Sequence, residues 1–501
     1  MDVLKEKRKI SEELRPFFRP KSIAVIGASH KEGSPGNVIF HNLIANYREG
    51  RLKARVYGVN IKGGELFGEK LYKSILDVPE AVEHAIIVIP AKFVPDAIEE
   101  CGKKGVKVAT IISGGFSEVG NFELERKVLE NARKYGIRII GPNGLGIFDA
   151  YSGVDTLFIP EKKETDEGLK INMPRPKAGF ISFLSQSGAL GDAVLDYMYG
   201  ENLGISKFIS WGNKIDVDES EMLLYLMDDE TTRVVIMYIE AIRKEGQKLV
   251  IVGKEFSKKK PIVVLKGGVT AAGARATWSH TASLAGNVRI YEAAFREMGA
   301  LIAENLLELL DMAKALSLQP PAKGRNIGIV TNGGGPGILV SDFAEKAGLR
   351  VPKLSKETVE ELKKYVNEGI IPPIATFPNP IDLSGSATDE SYVVATETLL
   401  QDPSIDLVIV LALHHPPTIT KDMPRKMIKV IKDYQKPTLV IDMGSAEVSV
   451  WVRKQFDDAG IPSYPLPERA IYGAKALVEY GMWLKKNGVL EKHLEEWHPA
   501  I

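Results

Sequence analysis

Short apolar runs alternate with longer amphipathic stretches along almost the whole chain. Runs of strand length, rich in Val and Ile and bounded by Gly, Pro, Asn or Ser, read as buried parallel strands. The stretches between them read as crossover helices. The pattern predicts strands at 22–27, 55–60, 85–90, 106–113 and 137–141, then at 179–184, 207–211, 234–240 and 261–266. A last group follows at 326–331, 407–413 and 438–443. The fold class is therefore α/β, with three consecutive parallel α/β domains at 14–149, 178–319 and 324–490. Residues 150–177 connect the first two. They carry Glu161-Lys162-Lys163-Glu164, end in Pro174-Arg175-Pro176, and read as a solvated linker. Pro320-Pro321 breaks the chain before the third domain.

A length of 501 residues agrees with about three domains. The 65 basic and 65 acidic residues balance, so no strong field favours nucleic acid or an anionic membrane. Cys101 is the only cysteine, which excludes an internal disulfide framework and a cysteine-built zinc site. A reducing, cytoplasmic location is the expectation. The charged N-terminus lacks the apolar core of a signal peptide, and the longest apolar runs, such as 407–413, are too short to span a bilayer.

Each domain opens on an apolar strand, a turn of small residues and a helix. In the first, Gly27-Ala28-Ser29 is followed by Gly33-Ser34-Pro35-Gly36 and a helix from about Asn37. Glycines let the backbone approach a pyrophosphate, and a helix N-terminus supplies unpaired N–H donors. Further strand ends carry Val59-Asn60-Ile61, Ile89-Pro90, Ser113-Gly114-Gly115 and Asn143. Ligands of open α/β sheets bind at such ends, so these residues are expected to line one crevice for a nucleotide-like ligand. The second domain opens with Ser185-Gln186-Ser187-Gly188. An ordinary N-cap accounts for that turn, and so does an anion site. The third opens with Asn332-Gly333-Gly334-Gly335-Pro336. Three successive glycines cost conformational entropy that a capped helix does not require, whereas close contact with a phosphoryl group does.

His280 lies among small and hydroxyl residues, 278–286, after the strand at 261–266, and is expected on a loop. Such a histidine serves as a structural hydrogen-bonder or as a nucleophile. Glu240, at a strand end, either steadies His280 or pairs on the surface with Arg243 or Lys244. His414-His415 has no third ligand nearby and reads as structural or substrate-lining; no metal site is expected. No Walker A sequence is present.

Taken together, the segments 24–29, 185–191, 238–240, 279–286 and 332–337 resemble the α subunits of ADP-forming acyl-CoA synthetases, relatives of succinyl-CoA synthetase. The resemblance spans about 17–489. It implies a CoA-binding Rossmann-like domain followed by two flavodoxin-like ligase domains. CoA would lie on Gly27, Ala28, Ser29, Val59, Asn60, Ile61, Ile89, Pro90, Ser113, Gly114, Gly115 and Asn143. His280 would be transiently phosphorylated and Glu240 would steady it. Ser185, Gln186, Ser187 and Gly188, with Gly333, Gly334 and Gly335, would mark two helix starts that grip the phosphate. Ala282 stands where the family usually has glycine, and the 150–177 connection is longer than usual. The implied reaction is acid + CoA + ATP ⇌ acyl-CoA + ADP + phosphate, through an acyl phosphate and phosphohistidine. Mg-ATP or Mg-ADP would bind a separate ATP-grasp β subunit in an α2β2 assembly, and a small carboxylic acid would be the substrate. One rival is a non-catalytic CoA-binding or redox-sensing Rossmann protein, which needs only the first domain. A nicotinamide-dependent dehydrogenase is disfavoured by the incomplete glycine fingerprint and by Val59-Asn60-Ile61-Lys62, which has no acidic strand end.

Overall fold

The computed structural model describes residues 3–243, 246–281 and 287–499, with side chains from 5 to 243, 246 to 276 and 287 to 499. The chain divides into two compact units, Met1–Ile302 and Ala303–Ile501.

The first unit holds two sheets. In strand β1 (Ser22–Ile26) every residue is buried, as a parallel strand covered on both faces requires. Its sheet adds β2 (Arg55–Val59), β3 (Gly64–Leu66), β4 (Glu69–Tyr72), β5 (His84–Ile87), β6 (Val108–Ile111) and β7 (Arg138–Ile140). The spatial order is β3-β4-β2-β1-β5-β6-β7. Leaving aside the antiparallel edge strand β3, this is the dinucleotide-fold order 3-2-1-4-5-6. The chain reverses direction across the sheet at β1, so the crevice opens at Gly27.

The second sheet has the order β15-β14-β13-β11-β12-β8. Its members are β8 (Ile147–Asp149), β11 (Ala178–Ser185), β12 (Ile205–Ser210), β13 (Val234–Ile239), β14 (Ile262–Lys266) and β15 (Leu301–Ala303). Without β8, which runs antiparallel to β12, this is the flavodoxin-like order 2-1-3-4-5, with its switch point at the end of β11. Strand β8 falls before the linker expected at 150–177, yet it edges this sheet. The connection itself is not wholly solvated. Val154 and Leu157 are buried, and only β9 (Lys162–Thr165) and β10 (Gly168–Ile171) form an exposed hairpin.

The second unit repeats the flavodoxin-like order as β17-β16-β18-β19-β20. Its strands are β16 (Ile327–Thr331), β17 (Ile381–Asp382), β18 (Leu407–Leu411), β19 (Thr438–Ile441) and β20 (Ser463–Tyr464). Helix Leu306–Leu318 packs on helix Pro467–Lys486 in this unit, pinned by a buried Arg469–Asp311 ion pair at 2.8 Å. The strands absent from the sequence reading (β3, β4, β8, β9, β10, β15, β17 and β20) are two to four residues long, too short to display a period.

The stretch around His280 differs from expectation. A helix runs Ala271–Thr281, so the His280 backbone lies in its last turn rather than on a loop. Ala271, Ala272, Ala274 and Ala276 supply high helix propensity. Thr270 opens the helix by accepting the Gly273 N–H on its hydroxyl at 3.1 Å. The His280 side chain and residues 282–286 lie outside the described residues.

Candidate functional site

Each small-residue turn sits at the switch point of its own sheet, where chain geometry leaves a crevice between diverging connections. In the first sheet, Gly27 has φ +105°, and a Cβ there would meet the Val88 carbonyl oxygen at 2.2 Å. Only glycine lets the turn after β1 pass so close to the end of β5. A Cβ on Gly36 would in turn meet the Gly27 carbonyl oxygen at 2.0 Å, so the helix Pro35–Arg48 starts directly against that turn. No side chain caps this helix start. Asn37 Nδ2 donates to the Ser29 carbonyl at 2.8 Å, and Asn60 Nδ2 donates to the Ala28 carbonyl at 2.7 Å. Gly27, Ser29, Val59 and Asn60 are thus brought together, while the Ile61 side chain is 85% exposed.

Ala28 is fully buried in the core, so its methyl group does not line the crevice. The other strand ends form a second cluster. Ser113 Oγ accepts the Ile89 N–H at 3.1 Å and donates to the Ile89 carbonyl at 2.5 Å. Asn143 N donates to the Ser113 carbonyl at 2.9 Å, and a Cβ on Gly114 would meet Asn143 Oδ1 at 2.9 Å. Gly115 has φ +112° and donates to Glu118 Oε1 at 2.5 Å. Asn213 Nδ2 reaches Glu118 Oε2 at 2.6 Å, tying this cluster to the second sheet. Burial opposes ionisation of Glu118, yet these hydrogen bonds hold its carboxyl below the usual range.

A helix start without a side-chain cap is a suitable place for an anion. Ser29→Glu, which adds a like charge beside that anion, is expected to weaken CoA binding at least tenfold, about 1.4 kcal/mol. Because Ser29 is only half-buried, the melting temperature should stay near that of the wild type. Calorimetric titration with CoA checks this, and unchanged affinity would remove the ligand from this turn.

In the second sheet, Ser185 Oγ accepts the Ser187 N–H at 3.2 Å and donates to the Ser187 carbonyl at 2.8 Å. Ser187 caps helix Gly188–Gly200 by accepting the Leu190 N–H at 3.2 Å. The ordinary N-cap is therefore present, and it takes one of the helix's first donors. Gln186 Oε1 accepts the N–H groups of both Glu240 and Ala241, at 2.5 and 2.9 Å, which fixes the end of β13 beside the Gly188 helix start.

Glu240 is 6% exposed and so is not a surface residue, and Arg243 donates to the Asn213 carbonyl at 2.7 Å. Burial, then the charge of Glu240 and a hydrogen bond to it, push the Tyr238 hydroxyl up to about 12. Lys266 ends β14 and donates to the Glu240 carbonyl at 2.7 Å, while burial pulls its ammonium group down against the opposing Glu240 charge. Tyr238 and Lys266 stand around Glu240, and the sequence reading gave neither a role. Their signal was available: a cation closes the strand next to the one that Glu240 follows.

The second unit repeats the motif. Thr331 Oγ1 accepts the Gly333 N–H at 3.0 Å and donates to the Gly333 carbonyl at 3.1 Å, matching Ser185 and Ser187. Asn332 exchanges two hydrogen bonds with Leu413, both 3.0 Å, as Gln186 clamps β13. Gly333 leaves helix Gly334–Lys346 without a side-chain cap, so its first N–H groups stay available. Nothing crowds a Cβ on Gly335, while one on Gly334 would meet Asp382 Oδ2 at 3.0 Å. His414 Nδ1 faces the buried Asp442 carboxylate in an ion-pair geometry. Among the described residues no group of three His, Cys, Asp or Glu side chains stands ready to hold a metal ion. No helix among them is long and apolar enough to cross a membrane.

Three family models match this architecture: a CoA binding domain over 21–149, a succinyl-CoA ligase like flavodoxin domain over 178–316, and a Ligase-CoA domain over 327–480. The chain is 41% identical to the alpha subunit of ADP-forming acetate–CoA ligase I of Pyrococcus furiosus, over 95% of this chain and 99% of that one. It is 39% identical to the ADP-forming acetate–CoA ligase of Methanocaldococcus jannaschii, over 96% of this chain but 65% of that one. Among solved structures it is similar to the dinucleotide forming acetyl-coenzyme A synthetase 1 of Ca. Korarchaeum cryptofilum in complex with phosphate and ADP. There the TM-score is 0.85 and the identity 36%, over 95% of this chain and 98% of that one.

Proposed function

Because this chain belongs to the α subunits of the ADP-forming acetate–CoA ligases, we propose that it carries acid + CoA + ATP ⇌ acyl-CoA + ADP + phosphate through a phosphorylated His280. The observation that carries the chemistry is the clamp of Gln186 on Glu240 and Ala241. It holds a buried carboxylate at the strand edge where the Gly188 helix begins, with the His280 helix following the adjacent strand β14.

In the direction of ATP synthesis, phosphate attacks the thioester and releases the CoA thiol, leaving an acyl phosphate. A neutral ring nitrogen of His280 attacks phosphorus, the bond to the acyl oxygen breaks, and the free acid departs. ADP then takes the phosphoryl group and the imidazole is restored. Glu240 holds the proton on the other ring nitrogen and stabilises the positive charge that develops as the first nitrogen attacks. The start of helix Gly188–Gly200 offers N–H donors to the phosphoryl oxygens, at about 0.3–2 kcal/mol for the helix dipole. CoA rests on the switch-point crevice of the first sheet, where Gly27 and the uncapped Pro35 helix leave backbone free for its phosphates. The Rossmann-protein rival uses only that crevice, whereas the family matches continue to residue 480.

No Walker A sequence is present, and the Methanocaldococcus relative carries the same activity name on a longer chain. A separate ATP-grasp subunit binding the Mg-nucleotide fits both facts, in an α2β2 assembly located in the cytoplasm. The purified chain is expected to show no ATP-dependent acetyl-CoA synthesis until that subunit is added. Release of ADP and phosphate, assayed with acetate and CoA, checks this; full turnover by the chain alone would contradict it.

A further inference from the structure

Three polar side chains hold the backbone where β13 ends. Gln186 Oε1 takes the N–H groups of Glu240 and Ala241. Lys266 donates to the Glu240 carbonyl at 2.7 Å, and Lys214 donates to the Ala241 carbonyl at 3.1 Å. Lys214 is buried, with its charge paired to Glu219. The peptide groups on both sides of Glu240 are thus tied down. What remains to be set is the direction of the Glu240 side chain, which its own torsions leave open.

Tyr238 stands two residues earlier on the same extended run, so its side chain leaves on the face from which Glu240 leaves. Its hydroxyl is hydrogen-bonded to the Glu240 carboxylate. Burial, the Glu240 charge and that bond push the hydroxyl up to about 12, so it keeps its proton and acts as the donor.

The neighbouring chain makes room for this contact. Gly267 follows β14 and donates to the Ile239 carbonyl at 2.9 Å. A Cβ on Gly267 would meet the Tyr238 hydroxyl oxygen at 2.5 Å and the ring carbon that carries it, Cζ, at 2.9 Å. The Gly267 backbone lies outside the left-handed region, so the chain path itself does not demand glycine there. The missing side chain is space for the phenol.

We propose that Tyr238 is a positioning residue for phosphoryl transfer: its hydroxyl, seated over Gly267, holds one oxygen of the Glu240 carboxylate and so sets how the other is presented to the phosphoryl-accepting histidine. This rests on the reading above, in which Glu240 steadies His280. A hydrogen bond to a charged group is strong enough to hold a carboxylate in one orientation, and a misdirected partner costs rate rather than binding.

The test measures phosphohistidine formation by rapid quench, using acetyl-CoA and labelled phosphate with the chain and its ATP-grasp subunit. Tyr238→Phe keeps the ring and removes only the donor; it is expected to slow the step by about tenfold or more. Gly267→Ala should slow it as well, by pushing the hydroxyl away from the carboxylate. KM for CoA should stay at the wild-type value in both. In a Glu240→Gln background, Tyr238→Phe should change the rate by less than about twofold, because the carboxylate it directs is gone. A wild-type rate in either single variant would overturn the proposal. So would an equal loss from Tyr238→Phe in both backgrounds, which would make Tyr238 a packing residue. Absence of phosphohistidine in the wild type would overturn the ligase reading and this one together, whereas a labelled wild type beside an equally fast Tyr238→Phe overturns this one alone.

Discussion

His280→Ala is expected to reduce acyl-CoA synthesis to background in the complete complex, a loss of at least about 10⁴-fold. Losing a covalent nucleophile removes the route itself rather than one stabilising contact. Alanine is a better helix former than histidine, so the Ala271–Thr281 helix is not weakened by the change. CoA affinity should stay at the wild-type value, because the crevice of the first sheet is built from residues between Gly27 and Asn143. Steady-state turnover and CoA titration on the same preparation separate the two. Turnover within tenfold of the wild type would mean that the phosphoryl group does not pass through this residue.

Glu240→Gln is expected to lower the rate of phosphohistidine formation by about 10- to 10⁴-fold, the range between loss of an orienting partner and loss of an acid–base contact. The Gln186 clamp grips backbone N–H groups of Glu240 and Ala241, so it survives the substitution. The strand end should therefore keep its position, and the loss should fall on the chemical step, with KM values little changed. Rapid-quench measurement of labelled phosphate transfer checks this. A rate within twofold of the wild type would reduce Glu240 to a buried structural acid.

The three switch-point turns were legible in the sequence because their signals are local. An apolar run followed by glycine or a hydroxyl residue and then a helical period announces strand, turn and helix. Gly27, Ser185, Ser187 and Gly333 were found that way, and each stands where its sheet reverses direction. Glu240 was placed at a strand end, but its burial was open, since it depends on Gln186 from the turn after another strand and on Tyr238 and Lys266 around it. The His280 stretch was taken for a loop because its small residues resemble turn formers. The alanines before it carry the helix through instead. Ala28 belonged to the right turn, but its methyl group packs inward, which nothing in the local pattern distinguishes from an outward one. The joining of Glu118 to Asn213 is a product of tertiary packing. Residues nearly a hundred positions apart meet there, and no local spacing announces them.

The account stands most directly on one measurement. The complete complex is incubated with acetyl-CoA and labelled phosphate, without ADP so that the intermediate accumulates, and the α chain is digested and mapped by mass spectrometry under basic conditions that preserve a phosphorus–nitrogen bond. The account predicts a single acid-labile, base-stable phosphoryl group, carried on this chain at His280. A label on His414 or His415, or none on this chain while acetyl-CoA is consumed, would contradict it.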